Sequence, residues 1–137
     1  MKLYYDTSAW IPLILQESAS LRMWEIKLTA SEIWAWQWMK VETEATLTRR
    51  QASPECWRNW YLLKTEVNWV ELDVHELETL CSFNRALKLR AADAGHLFVF
   101  DRIFSELPDL LLLTLDKEMS VAAKSIGAAL HPESVLI

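Results

Sequence analysis

The side chains of this 137-residue chain that could do hydrolytic chemistry together are four carboxylates, Asp6, Glu42, Asp93 and Asp116, and two hydroxyls, Ser8 and Thr114. Carboxylates that share one crevice repel, by about 3 kcal/mol for a pair ~5 Å apart at an effective dielectric near ~20. Protonation or a divalent cation must relieve that repulsion, and an all-oxygen set suits magnesium or manganese better than zinc. Ser8 stands two positions after Asp6 and Thr114 two before Asp116, so either hydroxyl can orient a carboxylate or a water at such an ion. Each acid also has an ordinary reading. An Asp at the end of a strand commonly caps a turn or helix, and an acid on a helix is commonly solvated. Glu44 competes with Glu42, because two steps along a helix rotate a side chain by about 200° and only one of them can face the crevice.

The elements that must position these residues follow from the apolar pattern. KLYYD at 2–6 reads as a short strand ending in Asp6, and TSAWIPLILQ continues at helical spacing. A helical stripe over 17–29, a strand at 33–36 and a helix from 38 to 50 carrying Glu42 come next. Ser53 before Pro54 supplies an N-cap and a first-turn proline for a helix to about Glu66. VNWVELD at 67–73 reads as a strand, and Asp73 as the cap of a helix over 74–89. A second helical pattern carries Asp93 and runs to Leu107, where Pro108 and Asp109 break it. DLLLLTLD at 109–116, apolar until its end, reads as a strand buried on both faces, and a last helix closes at Gly127 before a short extended tail. This alternation predicts an α/β fold with a mainly parallel sheet of four or five strands. In such sheets the functional crevice lies outside the carboxyl ends of the strands, where Asp6 and Asp116 fall.

Composition narrows the class. With 52% hydrophobic and 24% charged residues but only 2 Gly and 4 Pro, residues 1–137 read as a single globular domain, not a linker or a disordered chain. No apolar run approaches the ~20 residues that cross a bilayer, and MKLYYDTS is unlike a secretory leader, so the expectation is a cytoplasmic protein with no membrane partner. Cys56 and Cys81 form no CxxC pair. The histidines at 75, 96 and 131 have no zinc-site spacing, and His96, one turn after Asp93, reads as a packing or hydrogen-bonding residue. A net charge of −5 argues against a general nucleic-acid coat protein, although Arg49, Arg50, Arg85, Lys88, Arg90 and Lys117 flank the acidic segments and could form a basic rim. Trp34, Trp36 and Trp38, at a spacing of two, read as core or interface before base-stacking surfaces.

Taken in order, YYDTSAW, VETEATLTRR, AADAGHLF and LLTLDKEMSVAAKSIG resemble the PIN domain family, in particular its VapC-like toxins. The resemblance rests on Asp-x-Ser at Asp6 to Ser8, on Glu42 with Thr46 and Leu47 four and five residues later, on Asp93-Ala-Gly-His-Leu97, and on Thr114-x-Asp116 before an Ala-rich helix. The second spacing selects Glu42 over Glu44. The resemblance implies a three-layer α/β/α domain and a Mg²⁺-dependent, or Mn²⁺-dependent, endoribonuclease with Asp6, Glu42, Asp93 and Asp116 as catalytic and metal-binding acids. Ser8 and Thr114 would support them. It also implies an RNA substrate, a cognate antitoxin and a homodimer. Gly95 departs from the family pattern, where a bulky apolar residue is usual, and so do Trp36 and Gln37, which stand where small hydroxyl residues are frequent. Two other functions remain open: an inactive PIN-like module that binds nucleic acid or protein, and a Mg²⁺-dependent phosphohydrolase, although the chain has no P-loop.

Overall fold

In the computed structural model, which describes residues 1–134, four strands form one sheet in the order β3-β2-β1-β4. They are β1 (Lys2–Tyr5), β2 (Glu32–Trp36), β3 (Asn68–Val70) and β4 (Leu110–Leu113), and every pairing is parallel. The central register sets Tyr4 beside Trp34 and Leu112, and Tyr5 beside Leu113. Because successive side chains point to opposite faces, this register sorts the core in two. Leu3, Tyr5, Ile33, Ala35 and Leu113 pack under α1 (Thr7–Trp10), α2 (Ser20–Leu28), α3 (Trp38–Arg49) and α4 (Pro54–Leu63). Tyr4, Leu110 and Leu112 pack under α5 (Leu77–Leu87), α6 (Ala91–Glu106) and α7 (Lys117–Ser125). The expected three layers and parallel sheet are present.

Several element ends differ from the sequence reading, each for a local reason. The helix expected to follow Asp6 is four residues of α-helix and then a tighter turn at Ile11–Leu13, where Pro12 has no backbone N–H to donate. Asp73 caps as expected, but the turn it opens at Val74–Glu76 is a 3₁₀ segment leading into α5. Lys88 then takes a left-handed conformation (φ 57°) and ends α5. The Asn84 side chain secures that break by bonding both the N–H and the C=O of Leu89, at 2.9 and 2.8 Å. Ser53 and Pro54 open α4, and Gly127 follows α7 at φ 76°, both as expected. The fifth strand left open by the sequence is a single parallel bridge, Leu112 with Leu130, on the outer edge of β4. The four central positions Leu110–Leu113 are buried or nearly so, as a strand covered on both faces must be.

Candidate functional site

β1 and β4 lie side by side and end together, and the residues just past their ends are Asp6 and Thr114. The Asp6 carboxylate is buried. Its Oδ1 accepts from the Ser8 hydroxyl at 2.6 Å and from the Ala9 N–H at 3.3 Å, and its Oδ2 accepts from the Thr114 hydroxyl at 2.6 Å. Ser8 Oγ accepts from the Leu115 N–H at 2.9 Å, and Thr114 Oγ1 accepts from the Asp116 N–H at 3.0 Å. Thr114 thus serves Asp6, a residue of the neighbouring strand end, with its proton, while its oxygen shapes the turn into Asp116. Beneath this network Ser134 accepts from the Thr114 N–H at 3.2 Å and donates to the Leu112 carbonyl at 3.0 Å. Burial pushes the Asp6 carboxyl above the usual carboxylate range, against His96, Ser8, Thr114 and the Ala9 N–H, which favour the charged form.

The ordinary reading of two of the acids is also correct. Asp6 caps α1, and Asp116 caps α7 by accepting from the Met119 N–H at 3.1 Å. Capping uses Asp116 Oδ1 and leaves Oδ2 free of hydrogen bonds among the described residues.

Across the crevice, α3 and α6 face each other through Glu42 and His96. Glu42 Oε1 lies 2.6 Å from His96 Nε2 and accepts from the Thr7 hydroxyl at 2.8 Å. The other imidazole nitrogen, Nδ1, lies 3.3 Å from the Tyr4 hydroxyl. A proton on Nε2 satisfies the arrangement, with His96 donating to Glu42 and Tyr4 donating to His96. Burial raises the Glu42 carboxyl, but the His96 and Thr7 bonds more than offset it and hold the group below its usual range. Glu44 points elsewhere, accepting from the Trp60 indole N–H at 3.0 Å. The helix therefore presents Glu42, not Glu44, to this side. His96 has the hydrogen-bonding role read from the sequence. Thr7 was missed, and its signal was its place between Asp6 and Ser8.

Asp93, in the first turn of α6, is half-buried and has no hydrogen-bond partner among the described residues. Its carboxyl is pushed up to about 6, first by burial and then by the charges of Asp116 and Asp6, with His96 opposing and Glu42 adding a little. Asp93 therefore senses Asp116 and Asp6 as like charges. No three His, Cys, Asp or Glu side chains among the described residues converge as a finished metal cage would. The set they offer is nonetheless all oxygen and of one sign, and that chemistry attracts a hard divalent cation.

Comparison with known proteins bears on the fold that carries these residues. No protein-family model matches the sequence, and no curated protein does. Among solved structures, the crystal structure of Mycobacterium tuberculosis VapC20, described as a Sarcin-Ricin loop cleaving toxin, matches with a TM-score of 0.68 at 16% identity, over 88% of this chain and 94% of that one. The chain has a PIN-like fold. On this PIN-like frame, the two departures noted in the sequence explain each other. A Cβ at Gly95 would collide with the Trp36 ring carbons Cζ3 and Cη2, so the large residue on β2 occupies the space that a side chain at 95 would need. The Trp36 ring also meets the His96 ring edge-on, with centroids 5.3 Å apart. Of the expected basic rim, Arg50 is paired with Glu17 at 2.7 Å, whereas Lys88 and Lys117, together with Glu118, line an open groove of about 730 Å³. No helix among the described residues is long and apolar enough to cross a membrane.

Proposed function

We propose that the chain is a Mg²⁺- or Mn²⁺-dependent endoribonuclease, the toxin of a toxin-antitoxin pair. The observation that carries this reading is the buried Asp6 carboxylate, held by the Ser8 and Thr114 hydroxyls across the adjoining ends of β1 and β4, where Asp116 follows Thr114 and Asp93 on α6 feels both acids as like charges. Asp6, Asp93 and Asp116 are the residues that would hold the cation, with Glu42 as the fourth acid. A bound Mg²⁺ supplies positive charge against the phosphate and acidifies a water. Ser8 and Thr114 hold the Asp6 carboxylate in one orientation, and His96 and Thr7 do the same for Glu42. In the hydrolysis, water oxygen bonds to phosphorus and the P–O3′ bond breaks, with its electron pair and a proton going to O3′. The products carry 5′-phosphate and 3′-hydroxyl ends.

The likeness to a toxin that cleaves the Sarcin-Ricin loop supports RNA as the substrate. Lys88 and Lys117 outnumber Glu118 in their groove and give an acidic protein a local net positive charge toward the phosphate backbone. For the antitoxin and a second copy of the chain, α2 and α4 present exposed Leu21, Leu28, Tyr61 and Leu62. The test is RNA cleavage by purified protein stripped of partners, with Mg²⁺ or Mn²⁺, with EDTA, and with Asp6→Asn and Asp93→Asn. Metal-dependent cleavage lost in both variants is expected. Cleavage that survives EDTA, or that Asp93→Asn leaves intact, would overturn the reading.

A further inference from the structure

Beside the carboxylates stands a pair of indoles that the proposed hydrolysis does not use. Trp36, the last residue of β2, lies against Gly95 and the His96 ring, so the helix that carries Asp93 fixes its position. Trp38, the first residue of α3, packs on the outer side of Trp36 with centroids 6.1 Å apart and planes tilted by 32°. Trp38 is 46% exposed, an unusual state for the largest apolar side chain. It also precedes Glu42 by four residues, so the two side chains lie on one face of α3, about one turn apart. The exposed indole therefore sits one helical turn from the acid that His96 and Thr7 hold.

The surroundings distinguish among occupants. With Val41, Leu72 and Leu77, the two indoles line a shallow groove of about 390 Å³, within the size range of small-ligand clefts. Its polar edge is Gln37 and Glu71, joined by a hydrogen bond of 3.0 Å from the Gln37 amide. A phosphate would be repelled by Glu71. A neutral ring with an amino group would stack on the indole and donate to that carboxylate.

We propose that Trp38, backed by Trp36 in the Gly95 notch, is a stacking platform for one unpaired nucleobase of a single-stranded RNA whose backbone crosses the carboxylates. This rests on the ribonuclease reading above, and it names the form of the substrate: unpaired at the position next to the cut. Bases bearing an amino group, able to donate to Glu71, are preferred there.

The experiment measures binding separately from cleavage. A fluorescein-labelled single-stranded RNA of mixed sequence is titrated in EDTA, with fluorescence anisotropy as the readout, against wild type, Trp38→Ala and Trp38→Phe. Trp38→Ala should weaken binding about tenfold, and Trp38→Phe should retain most of it, since stacking tolerates any aromatic face. Replacing single nucleotides by abasic ones should find one position whose loss matches that of Trp38→Ala and does not add to it. Melting curves confirm that both variants fold. Unchanged RNA affinity in Trp38→Ala overturns the platform, and so does a wild type that binds no RNA. Unchanged RNA affinity with lost self-association in Trp38→Ala also overturns it, by assigning the indole to a protein interface. Cleavage in Mg²⁺ is scored independently: RNA bound through Trp38 but never cut leaves the platform standing and removes the nuclease, whereas RNA cut with unchanged KM in Trp38→Ala does the reverse.

Discussion

The two sides of the crevice hold their acids by different means. On the β1–β4 side, Asp6 is buried and accepts from three hydroxyl and backbone donors past the two strand ends, which leaves a lone pair open on Oδ2. On the α3–α6 side, Glu42 is tied to one imidazole and one hydroxyl. Asp93, one turn before His96 on α6, has no hydrogen-bond partner among the described residues and a carboxyl pushed up to about 6. The difference separates two jobs. Acids that are held would offer a cation few lone pairs in a fixed orientation, and the acid that is not held would offer all of its own, at the cost of sitting among like charges. Neighbouring acids in one crevice are therefore unequal, and substitutions should show it.

The largest effect should come from the free acid. Asp93→Asn removes a group proposed to hold the cation while deleting repulsion and no hydrogen bond. Cleavage should fall by more than the ~10- to 100-fold that loss of an outer supporting partner costs, while the metal-free melting temperature holds or rises. Asp6→Asn should abolish cleavage as well, but it exchanges a charge-assisted network for a neutral one, so its stability will not rise in the same way. Matching stability changes in the two variants, read by thermal melts in EDTA, would erase the distinction between held and free acids.

His96→Gln tests the α3–α6 side. It removes the ring that aligns Glu42, and the expected loss of activity is about 10- to 100-fold, with metal affinity measured by calorimetry falling in parallel. Thr114→Val tests the other side. A buried Asp6 oxygen loses its donor and the Asp116 N–H loses its acceptor, which should cost about 1–3 kcal/mol in a urea melt. If Thr114→Val proved neutral in stability, the Thr114 hydroxyl would add nothing to the fold and Asp6 would be held by burial, Ser8 and the Ala9 N–H.

Much of this was legible in sequence, and the exceptions share a cause. Asp6 and Asp116 were readable because apolar runs end on them, and a parallel sheet brings strand ends together whatever lies between. The choice of Glu42 over Glu44 needed the family spacing, since helical period alone separates the two without saying which faces in. The partners of the acids were less accessible. Thr114 looked like the companion of Asp116, its neighbour in sequence, yet its proton goes to Asp6, 108 positions away, because β4 lies beside β1. Likewise Gly95 and Trp36 looked like two unrelated departures until the packing of α6 on β2 showed that one fills the space the other leaves. Short-range signals survive in sequence, but pairings across the sheet and between layers depend on register.

The smallest predicted effect is the dependence of stability on pH, and its sign follows from the free acid. The folded carboxyl of Asp93 titrates at about 6, above the ~3.9 of an unfolded Asp. The native state therefore holds that proton more tightly than the unfolded chain does, so its contribution is fully present below about 4 and is lost as pH rises through about 6. Asp6, raised by burial, acts in the same direction. Glu42, held low, acts oppositely and matters only as pH falls below the unfolded carboxylate range. Without metal, the unfolding free energy read from urea melts should fall from pH 4.5 to pH 7, by less than the ~1.4 kcal/mol per pH unit that one full proton difference gives, because the half-exposed Asp93 is screened by solvent. A Mg²⁺ ion held as proposed would compete with the same proton, so at millimolar Mg²⁺ the decline should shrink or reverse above pH 6. Curves with and without Mg²⁺ should converge below about 5 and separate above 6. Parallel curves across that range would mean that the ion and the proton do not share Asp93, and the free acid would lose its assigned place in the crevice.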